Sequence, residues 1–215
     1  MSDQSFQSGG IFLEIFQLGP LETNCYFLHD STCAIVIDPG GEPEQIAACL
    51  ERKGLKLTHI LNTHLHFDHI QGNASLARLT GAPILAGSED DYLMQTELGL
   101  GGMMGFPVTE PFPYLPLNAG VHRFLDLDCT VFATPGHSPG SRSFYFPDLE
   151  WVFVGDLVFY RSVGRTDFPG GDAKVLRRSA RECILSLPEQ TIIYPGHGPR
   201  TDVASESLHN TFLAF

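Results

Sequence analysis

The stretch that decides the fold and the chemistry of this chain is Thr63-His64-Leu65-His66-Phe67-Asp68-His69, which follows the apolar run Leu57 to Leu61. It holds three imidazoles and one carboxylate, and all four groups can bind a metal ion. Each is neutral or anionic near pH 7, as a divalent cation requires of its ligands. A strand that runs into a loop would place His64 and His66 on one face, and the following turn would point Asp68 and His69 elsewhere. Two adjacent metal pockets are therefore expected.

Three further segments place a potential ligand directly after a glycine: Pro135-Gly136-His137, Gly155-Asp156 and Pro195-Gly196-His197. Each segment follows an apolar run that reads as a strand. Because the ends of distant strands can converge on one edge of a sheet, we expect these ligands to lie together. One histidine pair alone would indicate surface imidazoles beside a helix N-terminus, but that explanation does not account for the whole set.

Length and composition limit the classes of protein that this chain can be. Its 215 residues with 43% hydrophobic content suit one domain. We expect a disordered leader over residues 1–10 and a single domain over residues 11–215. The 13 Lys and Arg against 25 Asp and Glu give a net charge of −12, which argues against binding to nucleic acid or to an anionic membrane surface.

The sequence also predicts where the protein works. No apolar run has the length of a membrane span, and the polar start has no basic region or apolar core of a signal peptide. The five cysteines are odd in number and scattered, without a CxxC pair. They are expected to be reduced, packed as small apolar groups and not catalytic, in a cytoplasmic protein.

Hydrophobic periodicity predicts alternating strands and helices, and so an α/β fold in which two strand-rich halves form two sheets with helices outside. Strands are expected at Ile11 to Leu18, Cys25 to Leu28, Cys33 to Ile37, Leu57 to Leu61, Ile84 to Ala86, Cys129 to Ala133, Ser143 to Phe146, Trp151 to Val154 and Thr191 to Tyr194. Helices are expected at Glu42 to Lys53, Asn73 to Leu79, from Ser88, and at Asp172 to Leu185.

The segment from Leu98 to Leu117 is rich in glycine and proline, which excludes a regular element there. A long irregular loop in a compact domain is often a lid or a wall of a substrate site. A tolerated surface insertion explains the same composition equally well.

The set His64, His66, Asp68, His69, His137, Asp156 and His197 resembles the ligand pattern of the metallo-β-lactamase superfamily, from about Ile11 to Arg200. The resemblance implies a four-layer αββα sandwich. It also implies that His64, His66 and His137 hold one metal ion, that Asp68, His69 and His197 hold a second, and that Asp156 bridges the two. Imidazole and carboxylate ligands suit Zn²⁺, which we prefer, and also Fe or Mn.

Two such ions would activate a shared hydroxide for attack on a carbonyl carbon, with Asp68 orienting the hydroxide as the catalytic residue. The segments Gly155 to Phe159, Gly164 to Phe168 and Pro195 to Pro199 look like those of compact glyoxalase II-like hydrolases. That resemblance implies hydrolysis of a thioester such as S-lactoylglutathione. We expect either a monomer or a homodimer, and the sequence leaves this choice open. The chain departs from glyoxalase II proper at its C-terminus, where only Thr201 to Phe215 follow the last ligand loop instead of a glutathione-binding helical region.

Two other functions remain open. The Gly164 to Asp167 run also resembles the corresponding segment of persulfide dioxygenases. These enzymes have a similar ligand set but use a single iron, held by the equivalents of His64, His137 and Asp156. A metal-binding protein without hydrolytic activity is the third reading, although a structural zinc site closes with four ligands and has no need of Asp68.

Among the residues outside the ligand set, Arg165 is the best candidate for a substrate contact, because a guanidinium can pair with a substrate carboxylate. An ion pair with Asp167 or Asp172 is an equally good explanation. Asp38, Thr63 and Ser138 are candidate hydrogen-bond partners of the ligating histidines. For Tyr160 and Tyr194 we expect core packing.

Overall fold

The computed structural model describes residues 4–214, with Gln4 described by its backbone alone. The chain divides into two compact units, residues 1–117 and 118–215. The expected single domain over residues 11–215 stays a prediction. In the part of the chain that the structure describes, no helix has the length and hydropathy needed to cross a membrane.

The first unit contains one seven-stranded sheet in which sequence order is also spatial order. Its first four strands pair antiparallel, and the pairs from the fourth to the seventh strand are parallel. The strands are β1 (Gln4–Ser8), β2 (Ile11–Leu18), β3 (Thr23–His29), β4 (Cys33–Ile37), β5 (Lys56–Leu61), β6 (Ile84–Ala86) and β7 (Leu115–Pro116).

Helices connect the parallel strands of this sheet, as parallel pairing requires. They are α1 (Glu44–Lys53), α2 (Phe67–Ile70), α3 (Asn73–Thr80) and α4 (Glu97–Leu100), with 3₁₀ turns at Ser88–Gln95 and Met103–Gly105. Helix α1 ends at Gly54, whose left-handed backbone donates its N–H to the carbonyls of Leu50 and Glu51. Its buried residues Ile46, Cys49 and Leu50 pack with strand residues such as Phe27 in one apolar cluster.

The second unit contains a six-stranded sheet with the order β15-β14-β11-β10-β9-β8. All neighbours in it are antiparallel except β11 and β14, which are parallel. A separate ribbon pairs β12 with β13. The strands are β8 (Gly120–Phe124), β9 (Leu127–Ala133), β10 (Arg142–Phe146), β11 (Trp151–Gly155), β12 (Val158–Phe159), β13 (Ser162–Val163), β14 (Ile192–Pro195) and β15 (Thr201–Asp202).

Two helical segments cover part of this sheet. Helix α5 (Ala173–Ser179) begins after Asp172, whose carboxylate caps it, and continues as a π-helical turn over Ala180–Ile184. Helix α6 (Val203–His209) is capped in the same way by Asp202. Leu176, Ala180 and Ile184 pack against strand residues such as Val152 and Ile193 in one apolar cluster.

The structure differs from the sequence-based expectations in two segments. Residues 4–8 of the expected leader form β1, which pairs with β2, while residues 1–3 lie outside the described residues. The polar composition was misleading because an edge strand is held by backbone hydrogen bonds, which do not require apolar side chains. The segment from Leu98 to Leu117 contains the end of α4, a 3₁₀ turn and the short β7, so regular structure is not excluded from it.

Candidate metal centre

The first unit gathers the four candidate ligands of the histidine-rich stretch at the end of β5. All are buried, with His69 fully inaccessible and Asp68, the most exposed, only 7% exposed. The ring centroids of His64 and His66 lie 4.7 Å apart, and those of His64 and His69 lie 4.1 Å apart. The Nε2 atom of His69 lies 3.5 Å from Oδ2 of Asp68. These four side chains therefore lie close together within this unit, and their role as metal ligands stays a prediction.

Asp38, directly after β4, determines how two of these imidazoles are oriented. Its Oδ2 accepts hydrogen bonds from Nδ1 of His69 at 2.9 Å and from the hydroxyl of Thr63 at 2.6 Å. The Thr63 hydroxyl has then used its hydrogen, so it accepts from Nδ1 of His64 at 3.1 Å. Both histidines thus carry their proton on Nδ1, which leaves the lone pair of Nε2 for a metal ion. The expected roles of Asp38 and Thr63 are confirmed.

Sequence reasoning missed several groups that hold this loop in place. The Asp90 carboxylate accepts the backbone N–H of Leu65, and the Asn62 amide donates to the backbone carbonyl of His69. The Thr23 hydroxyl donates to Oδ2 of Asp68 at 3.2 Å. A Cβ on Gly40 would lie 1.8 Å from the carbonyl oxygen of Asp68, so only glycine fits there. Thr23, Gly40 and Asp90 lie far from the stretch in sequence, and no local pattern marks them or the adjacent Asn62.

The second unit gathers the other three candidate ligands. Asp156 follows β11 and His197 follows β14, and these two strands are parallel, so both residues lie at the same edge of the sheet. Oδ2 of Asp156 lies 3.6 Å from Nε2 of His137, and Oδ1 lies 3.8 Å from Nε2 of His197. These distances are too long for hydrogen bonds. The Asp156 carboxylate turns one oxygen toward His137 and the other toward His197. A carboxylate shared between two cations would be oriented in this way.

The orientation of His137 is also determined by the chain. Its Nδ1 lies 2.8 Å from the backbone carbonyl oxygen of Arg165, which can only accept, so Nδ1 carries the proton and Nε2 presents its lone pair. Gly164 makes this approach feasible, because a Cβ there would lie 1.9 Å from the carbonyl oxygen of Asp156. Ser138 was the third candidate for a hydrogen bond to a ligating histidine. Its hydroxyl oxygen lies 2.8 Å from the hydroxyl oxygen of Ser141.

The donor set fits divalent metal ions. It combines imidazole nitrogens and carboxylate oxygens, and the hydrogen-bonded Nδ1 atoms of His64, His69 and His137 leave Nε2 as the ligand atom. Hydrogen bonding of the second ring nitrogen is the usual arrangement around a metal-bound histidine. Each unit carries its own part of the predicted set.

Arg165 is paired with Asp167. Its Nε and one terminal nitrogen each lie 2.7 Å from a different oxygen of that carboxylate, and its guanidinium stacks 3.8 Å from the ring centroid of Phe168. The hydrogen bonds from Arg165 help to lower the pKa of Asp167 to about 2. The predicted ion pair with Asp167 is thus present, while Asp172 instead caps α5.

The two tyrosines behave differently. Tyr194 is fully buried and stacks on Phe153 with ring centroids 5.0 Å apart, so the expected core packing is confirmed. Tyr160 is 52% exposed and lies beneath the guanidinium of Arg161, so the expectation of core packing is wrong for it.

The glycine- and proline-rich segment borders the first part of the ligand set. The ring of Phe106 lies 5.2 Å from that of Phe67, which directly precedes Asp68. The Gln71 side chain donates to the carbonyl oxygen of Pro107 at 3.0 Å. Met104, at the tip of the segment, is 90% exposed. The segment therefore rests on helix α2, which carries Asp68 and His69.

Comparison of the sequence with known proteins agrees with this chemistry. The chain is 39% identical over 199 residues to the probable metallo-hydrolase YqgX of Bacillus subtilis, covering 91% of this chain and 94% of that protein. It is 31% identical over 206 residues to the hydroxyacylglutathione hydrolase GloC of Haemophilus influenzae, covering 94% and 97% of the two chains.

Several solved structures are similar to this chain over most of their length. The BLEG-1 B3 metallo-beta-lactamase has a TM-score of 0.87 at 37% identity, covering 94% of this chain and all of that one (100%). TTHA1623 in a di-iron-bound form has a TM-score of 0.82 at 40% identity, covering 92% and 98%. ETHE1 from Myxococcus xanthus has a TM-score of 0.71 at 29% identity, covering 93% and 83%.

The family itself follows from a match over most of the chain. The sequence model of the metallo-beta-lactamase superfamily matches residues 18–197, a range that includes all seven candidate ligands. The mixed α/β elements and the structural neighbours agree, and the predicted fold class is confirmed. This chain belongs to the metallo-β-lactamase superfamily, whose matched relatives include metallo-hydrolases.

Proposed function

We propose that this protein is a binuclear metal hydrolase that cleaves a thioester such as S-lactoylglutathione. The observation that carries the two-metal assignment is Asp156, which turns one oxygen toward His137 and the other toward His197. A carboxylate in this position suits a ligand that bridges two cations, as in two-metal hydrolases. The similarity to the hydroxyacylglutathione hydrolase GloC supports the thioester as substrate.

In this proposal His64, His66 and His137 hold one ion, Asp68, His69 and His197 hold the other, and Asp156 is shared. The ions are divalent, with Zn²⁺ preferred and Fe or Mn as substitutes, and the di-iron form of the similar TTHA1623 makes iron a serious competitor. When bound, they would supply Lewis acidity for the carbonyl group and lower the pKa of water toward neutrality.

The residues of the chain then have separate tasks. Asp68, with Oδ2 anchored by the Thr23 hydroxyl, orients the attacking water. Asp38 keeps the proton of His69 on Nδ1, so that the imidazole cannot turn away from the site. The leaving thiolate needs little help from a general acid, because the pKa of a thiol is only about 8.5.

Arg165 is the proposed substrate contact. Its guanidinium is more than half exposed, and its backbone carbonyl holds His137. Contact with a substrate carboxylate would require it to share or exchange its pairing with Asp167. The five free cysteines support a reducing compartment, and we propose a small-molecule hydrolase of the cytoplasm, active as a monomer or homodimer.

A second candidate function is a persulfide dioxygenase, which is favoured by the similarity to ETHE1. It would use one iron, held by His64, His137 and Asp156. The similarity to BLEG-1 adds a β-lactam to the substrates that must be assayed.

Metal content and turnover of the same preparation test the proposal. Protein purified without added metal is subjected to elemental analysis and assayed with S-lactoylglutathione, with glutathione persulfide under oxygen uptake, and with a β-lactam. We expect two divalent ions per chain and thioester turnover. The variant Asp156→Ala should lose both, whereas His209→Ala, at an exposed histidine of α6, should lose neither.

Other outcomes would replace the proposal. One iron per chain with oxygen uptake would identify the dioxygenase, and metal without turnover of any of the three substrates would identify a binding protein. Full thioester turnover in Asp156→Ala would refute the assigned ligand set.

A further inference from the structure

A basic strip runs along the outer face of helix α5 and the turn that follows it. It consists of Lys174, Arg177, Arg178 and Arg181, which are four of the 13 basic residues in a chain of net charge −12. At about 100° per residue these positions fall within roughly a quarter of the helix circumference. Together with Glu182 they line a groove of about 510 Å³.

Contacts within the protein account for this strip only in part, because the Asp172 carboxylate attracts Lys174 and Arg177 alone among the four cations. In residues 4–214, neither Lys174, Arg177 nor Arg178 lies within 4.0 Å of a carboxylate oxygen, whereas Arg181 donates to the backbone carbonyls of Leu213 and Ala214. Cations near a helix C-terminus interact favourably with the helix dipole, but Lys174 lies in the first turn, where the interaction is unfavourable. Like charges three and four positions apart also repel one another. An anion bound along the strip would relieve that repulsion.

The strip lies on the helix that supports one of the candidate ligand loops. The backbone N–H of Asp172 donates to the carbonyl oxygen of Gly136 at 2.8 Å, and the Ser179 hydroxyl donates to that of Pro135 at 2.7 Å. A Cβ on Gly136 would lie 2.3 Å from the backbone of Leu176, so the loop touches the helix directly. One face of α5 therefore holds the loop that ends in His137, and the opposite face carries the four cations.

We infer that the basic strip binds the phosphate groups of a coenzyme A-type thioester, so that the substrate class is a thioester of a phosphorylated carrier. This inference rests on the proposed thioesterase function, and it replaces S-lactoylglutathione, which carries no phosphate, with a phosphorylated thioester as the substrate. Guanidinium groups match phosphate oxygens in paired hydrogen bonds, and an open groove lined by four cations leaves room for more than one phosphate group. The long arm between thioester and phosphates in coenzyme A would span the helix between the strip and the His137 loop.

The test compares two thioesters of the same acyl group, lactoyl-coenzyme A and lactoyl-pantetheine, which lacks the nucleotide phosphates. The variant is Arg177→Glu with Arg178→Glu, and its control is Lys56→Glu with Arg123→Glu, which changes the charge equally at exposed cations elsewhere. We expect the double variant to raise KM for the coenzyme A thioester about tenfold or more, with kcat unchanged. The KM of the double variant for the pantetheine thioester should equal that of the natural sequence. The control variant should keep the natural KM and kcat for both thioesters.

Binding provides a readout that does not depend on turnover. Adenosine 3′,5′-bisphosphate, titrated into the purified protein, should bind, and the double variant should weaken binding by a similar factor. If charge reversal prevents folding, Arg177→Gln with Arg178→Gln takes its place, with a smaller change in the same direction.

The outcomes separate this inference from the proposed function. Thioester turnover with the same KM for coenzyme A in the variant and the natural sequence would overturn the inference and leave the function standing. Absence of turnover for every thioester would remove both. Binding of polyglutamate that depends on the strip, without binding of the bisphosphate, would overturn the inference in favour of an acidic protein partner.

Discussion

Asp38 is the residue on which the orientation of the histidine-rich loop depends. One of its oxygens accepts the backbone N–H of Thr63 at 2.8 Å, and the other accepts the Thr63 hydroxyl and Nδ1 of His69. Its φ of +53° is unusual for a residue other than glycine, although Asp and Asn adopt this conformation more readily than most. The carboxylate is 1% exposed, so water cannot replace these contacts.

The first prediction concerns this carboxylate. Asp38→Asn keeps the shape and the backbone conformation but leaves one oxygen to serve three donors. Because such outer hydrogen bonds tune metal affinity, we expect binding to weaken about 10- to 100-fold, as measured by competition with a chromogenic chelator. Asp128→Asn, at an exposed position of β9, is the matched control and should bind metal normally. Unchanged affinity in Asp38→Asn would mean that the loop is oriented by other contacts.

At the scale of the element, the ligands depend on close backbone contacts where strands end. Gly164, after β13, approaches the backbone of Asp156 so closely that a Cβ would lie 1.9 Å from its carbonyl oxygen and 3.3 Å from Nδ1 of His137. Since the obstructing atom belongs to the backbone, no rotamer change can relieve the clash. Gly54, at the end of α1, differs from it, because its φ is +66° and no atom lies within 4 Å of its added Cβ.

The second prediction uses this pair of glycines. Gly164→Ala should move Asp156 or His137, with a loss of activity and of metal affinity and a cost in unfolding free energy of about 1–3 kcal/mol. Gly54→Ala should cost about 1 kcal/mol through its left-handed backbone alone and leave kcat and KM unchanged. Urea unfolding measures the unfolding free energy of both variants, and steady-state kinetics measure their kcat and KM. Normal activity and stability in Gly164→Ala would show that the backbone yields there without cost.

At the scale of the whole molecule, burial determines the state of the thiols. Cys25, Cys49 and Cys129 are buried, and Cys33 and Cys183 are partly buried. Burial is the largest cause of the raised pKa of Cys25, Cys49, Cys129 and Cys183, and the nearby Glu14 carboxylate raises that of Cys49 further. Because the thiolate is the reactive form, these groups are protonated and unreactive at neutral pH.

The third prediction is that Ellman's reagent at pH 7 labels the folded protein slowly. The three buried thiols should react only as fast as the protein opens, and all five should react at once in denaturant. A raised pKa means that native labelling accelerates only at alkaline pH. Rapid reaction of the buried thiols in the folded protein at pH 7 would contradict their burial.

The sequence by itself determined which side chains can bind the metals and in which segments they lie, because donor chemistry and strand periodicity are local properties. The ends of β5, β11 and β14 were predictable to within one residue, because in each the apolar run stops at a polar residue, a glycine or a proline. Local pattern failed for Gln4–Ser8, whose strand depends on a neighbour, and for Tyr160, whose exposure depends on what packs around it.

Only the tertiary structure decided which nitrogen of His69 and of His137 carries the proton, because that choice depends on Asp38 and on the carbonyl of Arg165, which are distant in sequence from the histidines they hold. It also decided that Arg165 pairs with Asp167 and that the cations of α5 share one face opposite the His137 loop. Hydrogen bonds and close contacts between distant segments form only when the chain has folded, and no periodicity in the sequence records them.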